Sequence, residues 1–84
     1  MTEKLLGTEA IMAREEAAQK MRELADKISE GKVELKTDNE SIELRPAERV
    51  EFELEVEEES DGDISIEVEV EWSQKEKSEN VKIK

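Results

Sequence analysis

Residues 50–72 contain two runs in which every second residue is apolar and most of the residues between are glutamates. The runs cover residues 50–56 and 64–72, and a segment with Asp61 and Gly62 joins them. Successive side chains of a β-strand point to opposite faces of a sheet. The alternation therefore predicts an amphipathic β-hairpin with one apolar face and one acidic face.

The register of this hairpin follows from the residue numbers. Both runs carry their apolar residues at even positions, so facing residues must add up to an even number if they are to share a face. A three-residue loop, Ser60 to Gly62, satisfies this condition, and its last position needs the left-handed conformation that glycine adopts without strain. The predicted apolar pairs are Val56 with Ile66, Leu54 with Val68, Phe52 with Val70 and Val50 with Trp72.

The opposite face of the same hairpin consists almost entirely of glutamates. The register predicts that like charges face each other in three pairs, an arrangement that costs little where water screens it. Two interpretations remain open: the face keeps the protein soluble and blocks aggregation at the sheet edge, or it binds a basic partner or cations. The candidate interaction face consists of Glu51, Glu53, Glu55, Glu57, Glu67, Glu69 and Glu71.

The N-terminal half predicts a helix over residues 14–30. Apolar residues recur there at spacings of three and four and form one stripe, and Gly31 follows as a stop signal. Ala13 stands at the cap position, although alanine is a poor cap. Thr8 is an alternative cap, in which case the helix extends through Ile11.

A second hairpin is predicted between residues 33 and 44. Its apolar residues are odd-numbered on one arm and even-numbered on the other, so a two-residue turn pairs Leu35 with Ile42. Asp38 and Asn39 tolerate the left-handed conformation that such a turn favours. Together these elements predict an α+β fold, with one helix covering the apolar face of a four-stranded antiparallel β-meander. The N-terminal segment or the tail would add a fifth strand.

Composition restricts the classes of partner. The 84 residues predict a single domain, with its core over residues 3–72 and a tail over residues 73–84. A formal charge of −12 argues against direct binding to nucleic acid and to anionic membrane surfaces. Cysteine is absent and no segment reaches transmembrane length, which favours a cytoplasmic protein. We expect a monomer.

The sequence offers little for catalysis. Histidine, cysteine and tyrosine are all absent, and with them the commonest general base, transition-metal ligands and thiol nucleophile. Asp61, Gly62 and Asp63 lack the spacing of a calcium loop and indicate a plain turn. Trp72 is expected in the apolar core. We therefore expect no enzyme and no cofactor.

The segments Arg-Glu-Glu-Ala-Ala-Gln-Lys-Met at 14–21, Val-Glu-Phe-Glu-Leu-Glu-Val at 50–56 and Ile-Glu-Val-Glu-Val-Glu-Trp at 66–72 resemble the amphi-Trp domain, a small bacterial and archaeal family. The resemblance covers roughly residues 3–72. It implies a helix on an antiparallel sheet and marks Trp72 as the signature position. It implies no established activity.

The leading functional hypothesis is a small acidic interaction module that presents its glutamate face to a basic protein. One version is a nucleic-acid mimic, because same-face residues of a strand lie about 6.6–6.8 Å apart, near the distance between successive phosphates. The alternative is a weak divalent-cation-binding domain.

Overall fold

The computed structural model describes residues 2–73 and contains one helix and four strands. The chain divides into two compact units, Met1–Pro46 and Ala47–Lys84. The first unit holds the helix α1 (Arg14–Glu30) and the strands β1 (Val33–Lys36) and β2 (Ser41–Leu44). The second holds β3 (Glu51–Glu58) and β4 (Ile64–Glu71).

Helix α1 begins directly after Ala13, which makes no side-chain hydrogen bond to the helix. The alternative start at Thr8 is therefore wrong. Glu15 and Glu16 lie in the first turn, where the positive end of the helix dipole favours carboxylates. At the other end, Gly31 adopts a left-handed conformation with φ of 88°, and its N–H donates to backbone carbonyls of the last turn. The predicted stop signal is confirmed.

Strands β1 and β2 form an antiparallel hairpin with the predicted register. Leu35 faces Ile42, and Val33 faces Leu44. Val33 is the one buried apolar side chain among residues 2–73, with 2% exposure. It lies in the strand that α1 contacts, so this contact marks the small core of the first unit.

The turn between β1 and β2 differs from the prediction in its conformation. Within the described chain only glycines have positive φ, so Asp38 and Asn39 do not adopt the left-handed conformation. The Thr37 side chain stabilises the turn instead, because its hydroxyl oxygen accepts hydrogen bonds from the N–H groups of Asn39 (3.3 Å) and Glu40 (3.1 Å). The Thr37 N–H donates to the Glu40 carbonyl at 2.8 Å.

Strands β3 and β4 form the second hairpin, and its three-residue loop is confirmed. The Glu59 N–H donates to the Asp63 carbonyl at 2.8 Å, and the Gly62 N–H donates to the Glu59 carbonyl at 2.9 Å. Gly62 has φ of 95°, the left-handed conformation that the loop requires. Asp61 adds a side-chain bond, since its carboxylate accepts from the Asp63 N–H at 3.1 Å.

The pairing of β3 with β4 follows the predicted parity. Phe52 faces Val70, and Leu54 faces Val68. The paired residues begin at Glu51, so the predicted pair of Val50 with Trp72 lies one residue beyond them.

The α+β class is confirmed, but the four strands form two sheets of two strands rather than one meander. A continuous meander needs a hydrogen-bond ladder between β2 and β3. The chain between these strands contains Pro46, which has no N–H to donate, and belongs to neither strand. Residues 2–13 contain no strand, so they do not widen a sheet. The predicted tail strand lies outside the described residues, and the single domain stays a prediction.

The predicted burial of the hairpin's apolar face is wrong for the described structure. Phe52, Ile64 and Ile66 are 63%, 69% and 71% exposed, and only Val70 and Trp72 are half-buried. The helix stripe is likewise open, with Met21 60% exposed and no buried residue in α1. Within the second unit, β3 and β4 are the only described elements, so no further described element of that unit covers this face.

Candidate functional site

The candidate site is the acidic face of the β3–β4 hairpin, which we call the glutamate ladder. Alternation places these side chains on one face because each strand carries glutamate at odd positions. All seven residues are exposed. The ladder consists of Glu51, Glu53, Glu55, Glu57, Glu67, Glu69 and Glu71.

The structure brings six of the seven residues together in facing pairs. Glu51 faces Glu71, Glu53 faces Glu69, and Glu55 faces Glu67, as the parity argument predicts. Directly facing residues of an antiparallel pair lie about 4.5–5.5 Å apart, and successive pairs on one face about 6.8 Å apart. The face therefore carries two parallel columns of negative charge.

The seventh member of the ladder, Glu57, has a different neighbour. It faces Ser65, which carries no charge. Glu57 therefore has no directly opposed carboxylate across the hairpin.

No cation of the described chain neutralises the ladder. The ion pairs among residues 2–73 lie in the helix and at the end of β2. They join Arg22 to Glu15 at 3.2 Å, Lys27 to Glu30 at 3.7 Å and Arg45 to Glu43 at 2.7 Å. The lysines and arginines of the described chain thus leave the columns available to an external cation.

The density of charge changes the chemistry of one carboxyl group. The pKa of Glu53 is raised above 4.5, first by a hydrogen bond with the side chain of Glu55 and next by the negative charge of Glu69. Partial desolvation and the charge of Glu51 act in the same direction. These neighbours favour the protonated form of Glu53, so its carboxyl group takes up a proton more readily than that of an isolated glutamate.

Three ladder residues form a closer cluster that the sequence analysis missed. Carboxylate oxygens of Glu55, Glu57 and Glu67 lie within 4.8 Å of one another. The register could have revealed it, because Glu57 faces Ser65 and is therefore diagonal to Glu67. Carboxylate oxygens are the type of ligand that hard divalent cations prefer.

Trp72 follows the last paired residue of β4 and is half-buried. Its position at the end of the apolar alternation agrees with the signature of the family that the sequence resembles. Its predicted burial in the apolar core is therefore met only in part.

Among residues 2–73, no helix is both long and apolar enough to cross a membrane. No curated protein and no solved structure matches the chain at a significant level. The family comparison gives a match over the whole sequence, with the Amphi-Trp domain matching residues 1–84. The matched range includes the helix, both hairpins and Trp72, and the chain therefore belongs to the Amphi-Trp domain family.

Proposed function

We propose that the chain is a non-catalytic interaction module whose glutamate ladder binds a basic surface of a partner protein. The observation that carries the proposal is the set of three opposed glutamate pairs on an exposed sheet face. Each pair is repulsive in the free protein. Lysine or arginine side chains placed between the columns convert this repulsion into attraction, so the ladder gains more from a basic partner than scattered carboxylates do.

Electrostatics also define the kind of binding. A concentrated negative patch speeds the association of a basic partner, and salt weakens this effect. Arginine is the favoured partner residue, because its planar guanidinium donates to a carboxylate through two parallel hydrogen bonds. A partner with arginines or lysines spaced about 6.8 Å apart, as on one face of a strand, matches the ladder's own repeat.

Catalysis is not part of the proposal because the ladder is open. A pair of carboxylates performs acid–base chemistry when burial or a pocket separates their pKa values. All ladder residues are exposed, and the raised pKa of Glu53 comes chiefly from its neighbours Glu55 and Glu69 rather than from burial. A nucleic-acid-binding protein, whose binding site this chain would occupy as a nucleic-acid mimic, is one concrete form of the basic partner.

Divalent-cation binding is the second candidate function. The cluster of Glu55, Glu57 and Glu67 favours it, since their oxygens lie within 4.8 Å of one another. Calcium takes six to eight oxygen ligands. Three exposed carboxylates supply fewer than this, so water would complete the shell and the affinity would be low.

A pull-down from the lysate of the source organism tests the proposal with two variants of equal net charge. The ladder variant replaces three members of the facing pairs, Glu53→Gln, Glu55→Gln and Glu69→Gln. The matched control replaces three exposed glutamates outside the ladder, Glu9→Gln, Glu16→Gln and Glu48→Gln. We expect capture of a basic protein by the wild type and the control, and its loss in the ladder variant and in high salt.

Equal capture by both variants would contradict the proposal, and equal loss would show that net charge rather than the ladder is responsible. Titration with calcium or magnesium separates the second candidate. Chemical-shift changes confined to Glu55, Glu57 and Glu67 would support a cation site.

A further inference from the structure

We propose that a second copy of this chain covers the apolar face of the β3–β4 hairpin, so that the protein is a homodimer. This goes beyond the proposed function and does not depend on it. It also departs from the monomer that the sequence favoured. The apolar hairpin face has six members that are more than half exposed: Phe52 (63%), Leu54 (58%), Val56 (68%), Ile64 (69%), Ile66 (71%) and Val68 (53%).

The hairpin needs a cover for its own stability. An isolated two-stranded hairpin is at best marginally stable in water, and a third strand or a packed layer is required to hold it. The described elements of the second unit are β3 and β4 alone. Within these described elements, further stability has to come from burial of the apolar hairpin face, and the register makes that face continuous because Leu54 faces Val68 and Val56 faces Ile66.

The size of the face matches the requirement of a small dimer. An aromatic side chain offers on the order of 150–250 Å², and an aliphatic side chain on the order of 120 Å². With exposures between 53% and 71%, the six residues present roughly 500 Å² per copy. This lies in the upper part of the range for apolar patches on monomers, about 300–600 Å². Two such faces bury about 1,000 Å² together, the area that a specific protein interface has to reach.

A second copy has the shape and chemistry that this face requires. The facing pairs from Phe52–Val70 to Val56–Ile66 contain no polar side chain, so the partner must present a flat apolar surface. The same face on another molecule provides it, because two sheets pack about 10 Å apart with their inner side chains interdigitating. A two-fold axis makes the contact self-complementary.

The charges of the molecule do not oppose this arrangement. Both glutamate ladders point away from the contact, on the outer faces of the two packed sheets. They are then separated by more than the sheet spacing of about 10 Å, which exceeds the Debye length of about 8 Å at physiological salt. Glu58, which faces Ile64 beside the turn, lies at the rim of the apolar face, where water reaches it.

Sedimentation equilibrium tests the proposal through the mass in solution. We expect twice the chain mass of 9.7 kDa. Leu54→Lys places a charge at the centre of the apolar hairpin face and should raise the dissociation constant at least tenfold. Glu53→Gln makes the same change in net charge on the opposite face and should leave the dimer intact.

A second measurement does not depend on whether a variant folds. Wild-type protein is mixed from carbon-13-labelled and unlabelled copies, and isotope-filtered nuclear Overhauser contacts are recorded. We expect contacts between copies that involve the methyl groups of Leu54, Ile66 and Val68. A single-chain mass from about 10 μM to 1 mM would overturn the proposal. A dimer whose contacts between copies avoid these three residues would overturn it as well.

Discussion

Gly62 closes the β3–β4 loop in a conformation that other residues adopt only with strain. Its φ is 95°, and a Cβ added to it would meet no atom within 4 Å. A substitution there therefore tests backbone conformation without steric clash. Gly62 also helps to fix the register of the hairpin, because the three-residue loop that it completes places the glutamates of β3 opposite those of β4.

We predict that Gly62→Ala lowers the free energy of unfolding by about 1–2 kcal/mol, the cost of a left-handed conformation for a residue with a Cβ. Denaturant titration measures it. Gly7→Ala is the control, because Gly7 has no positive φ and its new Cβ would lie 3.2 Å from the flexible Lys4 side chain. Equal losses in the two variants would contradict the assignment of strain to the loop.

Glu53 should titrate above its ordinary range because of its neighbours. A raised pKa in the folded state stabilises the hairpin below pH 4.5, and this contribution is lost as the pH rises through the folded pKa. Carbon-13 detection of the side-chain carboxyl measures the titration. We expect Glu55→Gln to lower the pKa of Glu53 more than Glu69→Gln does, since the hydrogen bond with Glu55 is the larger cause. The reverse order would contradict this account.

At the residue level, the sequence predicted some backbone conformations correctly and missed others. The left-handed glycines at positions 31 and 62 were predictable, because each follows or closes an element that needs positive φ. The turn at Asp38 and Asn39 was not, because Thr37 supplies side-chain hydrogen bonds that make a left-handed conformation unnecessary. Side-chain bonding of this kind competes with turn propensity and has no periodic signal.

At the level of elements, the register of the β3–β4 hairpin places glutamates opposite one another on its acidic face. Its register could be derived from parity alone, since a shift of one residue would have set every apolar side chain against a glutamate. The cluster of Glu55, Glu57 and Glu67 was equally implicit in that register. The hydrogen bond between Glu53 and Glu55 was not, because a sequence pattern treats both carboxyl groups as charged.

We predict that Glu53→Lys stabilises the hairpin. The lysine would face Glu69 and replace a repulsive pair with an attractive one. Thermal unfolding should show a higher midpoint than for the wild type. Glu48→Lys makes the same change in net charge outside the strands and should raise the midpoint less. A fall in the midpoint of Glu53→Lys would show that the ladder is not an open, self-repelling face.

At the level of the whole molecule, the class and the elements were predictable, whereas the grouping of the strands was not. Alternation specifies which face of each strand is apolar, but it carries no information on which hairpins share a hydrogen-bond ladder. The predicted core illustrates the difference. Nine even-numbered apolar residues of the second hairpin were expected to be buried, yet Val33 of the first hairpin is the buried apolar residue of the described chain.

The same distinction applies to function. Membership of the Amphi-Trp domain family was recognisable from the helix segment and the terminal Glu-Trp, and the family match over residues 1–84 confirms it. The two outer surfaces of the β3–β4 hairpin then have separate proposed roles. We propose that the glutamate ladder binds a basic partner and that the apolar hairpin face binds a second copy, and the proposed dimer would present two ladders.

The most direct test of the ladder's role is a residue-resolved titration of the nitrogen-15-labelled protein with a lysine- and arginine-rich peptide. We predict shift changes concentrated on the paired glutamates of β3 and β4, weaker binding as salt is added, and loss of these changes in the variant with Glu53→Gln, Glu55→Gln and Glu69→Gln. Comparable changes at the acidic first turn of α1, where Glu15 and Glu16 lie, would show general attraction to a protein of charge −12 and would contradict a specific role for the ladder.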